Sequence, residues 1–176
     1  MSGANGSDMV RIWISLGSNI DRENNIRAAL HDLHAEFGPL QISRVYESEA
    51  VGFSGDAFYN LVVGLDTDRT AADLMTRFRE IESDHGRTRE GGGFASRTLD
   101  IDLLTYGDEV MDVNGAHLPR DEITRYAFVL LPLSELAADS VHPELGLSYR
   151  EMWAAFDHTA QRLWPVPFEI DIPDIN

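Results

Sequence analysis

Apolar positions recur along the chain with two different periods, and the switches between them mark the elements. Arg11 to Leu16 (Arg-Ile-Trp-Ile-Ser-Leu) is a short apolar run of strand type, closed by Gly17-Ser18-Asn19. Ile26, Ala29, Leu30, Leu33 and Phe37 then fall at helical spacing, and Gly38-Pro39 stops that helix. Leu40 to Glu47 returns to strand-like alternation, with Ile42 and Val45-Tyr46. Residues 51–56 hold two glycines and read as a loop; Phe58 to Leu65 is a second β run. Thr70 is placed to cap a second helix, with Asp73 in the first turn, where the helix dipole favours an acid. Leu74, Met75, Phe78 and Ile81 form its apolar stripe, and it should end near His85-Gly86. A polar, glycine-rich stretch over 87–96 precedes another strand, Leu99 to Thr105, with which Glu109 to Val113 is expected to pair. Ala127 to Ala138 and Ser148 to Phe156 predict two further helices, the first carrying Pro132. From Pro165 the chain is rich in proline and acid and is expected to be extended.

The order β-α-β-β-α-β, followed by extra helices, predicts an α+β fold. The specific expectation is a ferredoxin-like βαββαβ sandwich, an antiparallel sheet with helices on one face and additional C-terminal helices. Residues 1–8 read as a flexible leader, 9–160 as one domain, and 161–176 as an extended acidic tail. Neither an internal repeat nor a dividing linker interrupts the pattern.

Charge and missing residue types narrow the chemistry. The 176 residues include no lysine, and the 14 basic residues are all arginine, set against 30 acids for a net charge of −16. A phosphate-loop lysine and a Schiff-base lysine are therefore excluded. With no cysteine, thiolate nucleophiles, zinc thiolates and disulfides are excluded too. Any phosphate must be held by arginine, backbone N–H or a metal ion. Strong acidity argues against nucleic acid and against an anionic membrane surface. No apolar run approaches the roughly 20 residues of a membrane span, and residues 1–8 lack the apolar core of a signal peptide. A cytoplasmic protein acting as a monomer on small molecules is the expectation.

The sharpest candidate chemistry is Arg97-Thr98-Leu99-Asp100-Ile101-Asp102-Leu103-Leu104. On a strand, Asp100 and Asp102 share one face, about 7 Å apart, while Leu99, Ile101 and Leu103 share the other. Two such carboxylates suit one or two magnesium ions that keep positions for substrate phosphates. A solvated strand face is the alternative. Arg87, Arg89 and Arg97 bracket Gly91-Gly92-Gly93 and form the one dense arginine cluster of an acidic chain. Arginine is a fork-shaped donor suited to phosphate oxygens, so the segment reads either as a polyphosphate lid or as a surface loop paired with nearby acids. Gly17-Ser18-Asn19 between strand and helix offers an anion site at a helix N-terminus, or only a turn. Asn60 inside an apolar β run makes either a structural bond or a contact with a ligand edge. Phe58, Phe94 and Phe128 are available to stack on a flat ring, or to fill the core.

Leu16-Gly-Ser-Asn19, Gly86-Arg-Thr-Arg89, Arg97-Thr-Leu-Asp-Ile-Asp102 and Phe128-Val-Leu-Leu-Pro132 occur in this order. Together they resemble the 6-hydroxymethyl-7,8-dihydropterin pyrophosphokinases of folate biosynthesis, over roughly residues 9 to 160. The resemblance implies the ferredoxin-like fold and transfer of a pyrophosphoryl group from ATP, the co-substrate, to the pterin hydroxymethyl group. It implies two Mg2+ ions on Asp100 and Asp102, with Arg87 and Arg97 neutralising the moving phosphates. Glu82, Arg89, Thr98 and Arg120 are the further nucleotide contacts it implies. A pterin slot follows from Ser48, the Ala50-Val51 backbone, Phe58, the Asn60 amide, Phe94 and Phe128. Gly93 and Tyr126 stand where the family commonly has basic residues, Phe94 where it has tryptophan, and Arg120 where a histidine facing ATP is usual. Those departures frame the alternative reading, a pterin- or nucleotide-binding module or a paralogue with another substrate.

Overall fold

Strand alternation in the first apolar run continues through its glycine. The structure, a computed structural model, describes residues 8–49, 57–85, 99–159 and 161–172. Strand β1 spans Val10–Ser18 and pairs antiparallel with β4, Phe58–Thr67, so that Gly17 faces Asn60. Gly17 therefore lies within the ladder and does not end it. On the other side of β1 runs β5, Asp100–Tyr106, with Gly17 opposite Asp100 and Ser15 opposite Asp102.

Leu40 to Glu47 is not one strand. It is split into β2, Gln41–Ile42, and β3, Val45–Ser48, both paired with β4. The break is satisfied by Ser43, whose hydroxyl accepts from the Val62 N–H at 2.9 Å while its own N–H donates to the Val62 carbonyl at 3.0 Å. Strand β8, Leu163–Val166, comes from the proline-rich C-terminal stretch and adds to β3. The order across the sheet is β5-β1-β4-β3-β8, and every pairing is antiparallel. The expected partner of β5 takes another place. Strand β6, Met111–Val113, pairs with β7, Ala116–Leu118, in a separate hairpin. Asn114 (φ 52°) and Gly115 (φ 81°) supply the two positive-φ positions of a tight two-residue turn, which closes on the nearest run.

Helix α1, Arg22–Phe37, and helix α2, Ala71–Asp84, cover one sheet face. Ile26, Ala29, Leu30 and Leu33 of α1 and Leu74, Phe78 and Ile81 of α2 meet Ile12, Ile14, Leu16, Leu61, Val63, Ile101 and Leu103. The predicted cap of α2 is present: the Thr70 hydroxyl accepts from the Asp73 N–H at 3.1 Å. Glu36 on α1 accepts from Arg69 and Arg77, tying α1 to α2 and the turn before it.

The other face is covered as well, which corrects the one-faced expectation. Helix α3, Glu122–Arg125, helix α4, Ala127–Leu136, and helix α5, Tyr149–Ala155, pack Ile123, Val129, Leu130, Leu133, Tyr149 and Met152 against Trp13, Val62 and Leu104. The cause is visible in the pleat. Trp13, Val62 and Leu104 are apolar at positions of opposite parity, and a sheet apolar on both faces must be covered on both. Helix α3 is too short to show an apolar period. Helix α5 begins with a capping box between Ser148 and Glu151. After β8 the chain returns to α1: Arg27 donates to the Glu169 carbonyl, His31 meets Asp171, and Ile172 is buried in the first core. The fold is mixed α/β around an antiparallel sheet. Among the described residues no helix is long and apolar enough to cross a membrane.

Candidate active site

Helix cover on the second face stops short of one end of the strands, and a cavity of about 480 Å³ opens there. The register builds its floor. Asp100, Gly17 and Asn60 stand side by side across β5, β1 and β4, and Asp102 beside Ser15 forms the next row. Asn60 is only 7% exposed, and its Nδ2 donates to the Ser48 hydroxyl at 3.2 Å. A Cβ on Gly17 would lie 2.8 Å from Asn60 Oδ1. Glycine is required there because the Asn60 carboxamide occupies the space a side chain would fill. Phe58 from β4 and Phe128 from α4 line the same cavity, and Tyr126 stacks on Phe128 with ring centres 5.0 Å apart and planes 18° from parallel. Gln161 clamps this wall from behind: its Oε1 accepts from the Ala127 N–H at 2.8 Å and its Nε2 donates to the Arg125 carbonyl at 3.0 Å.

The two aspartates face this cavity while Ile101 between them enters the first core. The backbone of that strand is pinned from its outer side. Glu82, 4% exposed at the end of α2, accepts from the Ile101 N–H at 2.8 Å. The edge N–H of β5 is thereby satisfied, and the spacing of the flanking carboxylates is held. Hard oxygen donors two apart on one strand face fit magnesium, which takes one or two protein carboxylates and completes its shell with water and phosphate oxygens.

Arg120 is held between Leu104 of β5 and Glu122. Its N–H donates to the Leu104 carbonyl at 2.9 Å, and its Nε and Nη2 donate to Glu122 at 3.1 and 2.8 Å. Burial alone would lower the Arg120 pKa. The hydrogen bonds to Glu122, with the charges of Glu122 and Asp102, outweigh that and raise it above the ordinary arginine value. Arg125 pairs with Asp121 at 3.1 Å and lies over the Tyr126 ring.

Ser48, Phe58, Asn60, Asp100, Asp102 and Phe128 are thus brought together around one cavity. Glu82 stands behind β5, and Arg120 is turned toward Glu122. Ala50, Val51, Arg87, Arg89, Gly93, Phe94, Arg97 and Thr98 lie outside the described residues. Gly17-Ser18-Asn19 is not a turn leading straight into a helix: the first two belong to β1, and α1 begins only at Arg22. Sequence reasoning does not single out Ser15, Glu122 or Gln161. Strand parity signals Ser15 once the register is known, and Glu122 sits two residues from Arg120. Nothing local marks Gln161.

Comparison with known proteins identifies the family. A family profile described as 7,8-dihydro-6-hydroxymethylpterin-pyrophosphokinase (HPPK) matches residues 13–138. A Pseudomonas aeruginosa protein named 2-amino-4-hydroxy-6-hydroxymethyldihydropteridine pyrophosphokinase is 34% identical over 149 residues, covering 82% of this chain and 91% of that one. Its namesake from Bacillus subtilis is 35% identical over 128 residues, covering 70% and 76%. The folic acid synthesis protein FOL1 of Dictyostelium discoideum is 30% identical over 143 residues, which are 80% of this chain and 22% of that longer one. Among solved structures, wild-type Plasmodium falciparum HPPK-DHPS superposes with a TM-score of 0.65 at 14% identity, over 84% of this chain and 44% of that chain. The present chain spans less than half of that solved chain, and the likeness concerns the fold. A profile matched from β1 to the end of α4, and relatives above 30% identity across most of their length, establish that this chain belongs to the 7,8-dihydro-6-hydroxymethylpterin-pyrophosphokinase family.

Proposed function

We propose that the chain transfers the pyrophosphoryl group of ATP to 6-hydroxymethyl-7,8-dihydropterin, giving the pterin diphosphate and AMP in folate biosynthesis. The observation that carries this reading is the floor of the cavity: the Asn60 carboxamide and the Asp100 carboxylate flank Gly17 in one cross-strand row, with Asp102 in the next. In this reading a hydrogen-bonding edge reader on β4 and a metal-binding carboxylate pair on β5 flank β1. The relatives named above carry the names of a pyrophosphokinase or of a folic acid synthesis protein, so the binding-module alternative has no support of its own.

In this reading the flat pterin lies between Phe58 and Phe128. Asn60, fixed through Ser48, hydrogen-bonds the heterocycle edge, with Ala50 and Val51 supplying backbone groups and Phe94 a further ring face. Held there, the hydroxymethyl oxygen attacks the β-phosphorus of ATP. The bond from that phosphorus to the oxygen shared with the α-phosphate breaks, AMP keeps that oxygen, and the hydroxyl proton is released. Asp100 and Asp102 would hold Mg2+, two ions by resemblance to the family, and metal there supplies charge neutralisation of the phosphates. Arg87 and Arg97 neutralise further charge as it moves, and Arg89, Thr98, Glu82 and Arg120 bind the nucleotide. Positioning carries much of the rate in such transfers.

The strand order β5-β1-β4-β3, with α1 and α2 as crossovers on one face, supports a ferredoxin-like core to which α3 to α5 are added. We read residues 9–160 as the catalytic domain, acting as a cytoplasmic monomer without nucleic-acid or membrane partners. The test is direct. The chain incubated with ATP, Mg2+ and hydroxymethyl-dihydropterin should release AMP and pterin diphosphate in equal amounts, and no AMP when the pterin is omitted. Release of inorganic phosphate instead of AMP would refute the assignment.

A further inference from the structure

Arg22 opens α1, where the helix dipole disfavours a positive charge. Its contacts account for a cation there. One nitrogen, Nη1, donates to two acceptors, Glu47 Oε2 and the Ala57 carbonyl, each at 2.7 Å. Glu47 lies on β3, and Ala57 immediately precedes β4. The guanidinium carbon lies 4.0 Å from the centre of the Tyr59 ring, on β4. The other Glu47 oxygen accepts from the Trp164 indole N–H at 2.8 Å, which brings β8 into the same contact. The hydrogen bond from Arg22, then that from Trp164, holds the Glu47 carboxyl below the ordinary carboxylate value. A single half-buried guanidinium thus clasps the ends of two neighbouring strands.

The clasp lies on the α1 side of the sheet, and the register carries its effect to the other side. Glu47 faces Tyr59 across β3 and β4, and the next pair, Ser48 with Phe58, ends that ladder. Successive side chains of a strand point to opposite faces. Glu47 and Tyr59 therefore meet Arg22, while Ser48 and Phe58 line the cavity. Ser48 in turn accepts from the Asn60 carboxamide. The last pair of a ladder has neighbours on one side only and frays unless something else holds it. We propose that Arg22 is a positioning residue for the pterin slot. By clasping the ends of β3 and β4 from the opposite face, it fixes Phe58 and, through Ser48, the Asn60 carboxamide. The Asp100–Asp102 pair on β5 is separated from β3 by β1 and β4, so the effect falls on the pterin and spares the nucleotide. This inference rests on the reading of the cavity as the pterin site.

The test uses the full chain in steady-state turnover of ATP and hydroxymethyl-dihydropterin. Arg22→Met removes both hydrogen bonds and keeps an unbranched stem. The KM for the pterin should rise about tenfold, the scale of a lost hydrogen bond to a charged group. The KM for ATP should stay near the wild-type value. Arg22→Lys keeps the charge and should recover most of the loss, leaving about a threefold rise, the scale of a partly exposed ion pair. A purely structural role would lower the urea midpoint and kcat and leave the pterin KM unmoved. That result overturns the proposal, as do equal shifts in both KM values. If Arg22→Met does not fold, Glu47→Gln weakens the same clasp from β3. It should raise the pterin KM alone by about threefold, and an unchanged value overturns the proposal. Asn60→Ala separates the two levels of inference. If it raises the pterin KM while Arg22→Met does not, only the role of Arg22 falls. If it leaves the pterin KM as in the wild type, the pterin slot itself is misassigned, and the role of Arg22 falls with it. A wild-type chain without turnover overturns the proposed reaction, and this role as well.

Discussion

The two faces of the sheet are made by the same strands and do different work. Toward α1 and α2, alternate residues of β1, β4 and β5 are apolar along the strands, and the helices close over them. Toward α4 and α5 the alternate positions change character partway. Trp13, Val62 and Leu104 are apolar and covered; Ser15, Gly17, Asn60, Asp100 and Asp102 are small or polar and line the cavity. Burial of apolar area stabilises the first face. On the second, polar side chains end the reason for helix cover, and the strand ends that remain open are where a substrate can enter. Stability and chemistry are thus separated by side-chain parity on single strands: Ile101 is core while Asp100 and Asp102 on either side of it are the candidate metal carboxylates.

That separation can be broken most sharply at the aspartates. Asp100→Ala and Asp102→Ala should each lower kcat by about a thousandfold or more, since metal clamping carries much of the barrier reduction. Urea midpoints should stay close to wild type; a variant retaining near-normal turnover would remove its aspartate from the site. Leu30→Ala on the closed face makes the converse case. Leu30 is 1% exposed, and the cavity left behind should cost about 2–5 kcal/mol in urea unfolding, with kcat unchanged well below the melting range. An unaltered midpoint would contradict the assignment of that face to stability.

Gly17→Ala sharpens the boundary between the two regions. The added methyl collides with Asn60 Oδ1, so the carboxamide must turn, and the KM for the pterin should rise about tenfold, the worth of one misaligned hydrogen-bonding group. The KM for ATP should move much less, and equal shifts in both would argue against Asn60 as the pterin reader. The smallest expected effect concerns the covered half of the second face. His142 is 3% exposed, and its Nδ1 accepts from the N–H groups of Glu144 and Leu145, both at 3.1 Å. Burial, the larger influence, lowers its pKa against an opposing pull from Glu144. Because the folded value lies below the unfolded one, this stabilisation is present above about pH 6.5 and is lost as the pH falls. Melting temperatures between about pH 8 and about pH 5 should therefore decline, and His142→Asn, whose amide oxygen does not titrate, should flatten the decline.

Much of this division was legible in the sequence, and the reasons differ by element. Helix α2 was readable because its cap, dipole acid and apolar stripe agree. The carboxylate pair was readable because strand parity needs only one strand. Gly17 was misread as a strand end because local punctuation cannot register that the Asn60 carboxamide, 43 residues away in the chain, needs its space. The β6–β7 hairpin was misassigned because a two-residue turn at Asn114-Gly115 outcompetes a longer-range pairing with β5. The cover on the second face follows from Trp13, Val62 and Leu104, whose parity becomes meaningful only when the β1–β4 and β1–β5 registers are set. Gln161 supports the Tyr126–Phe128 wall from the bend before β8, with no local signal of its role.

The most direct test of the account is a crystal structure of the chain with Mg2+, α,β-methylene-ATP and hydroxymethyl-dihydropterin together. The account predicts metal density on Asp100 and Asp102, the pterin between Phe58 and Phe128 with its edge on Asn60, and the hydroxymethyl oxygen facing the β-phosphorus. Pterin or metal bound away from the Asp100–Gly17–Asn60 row would contradict it.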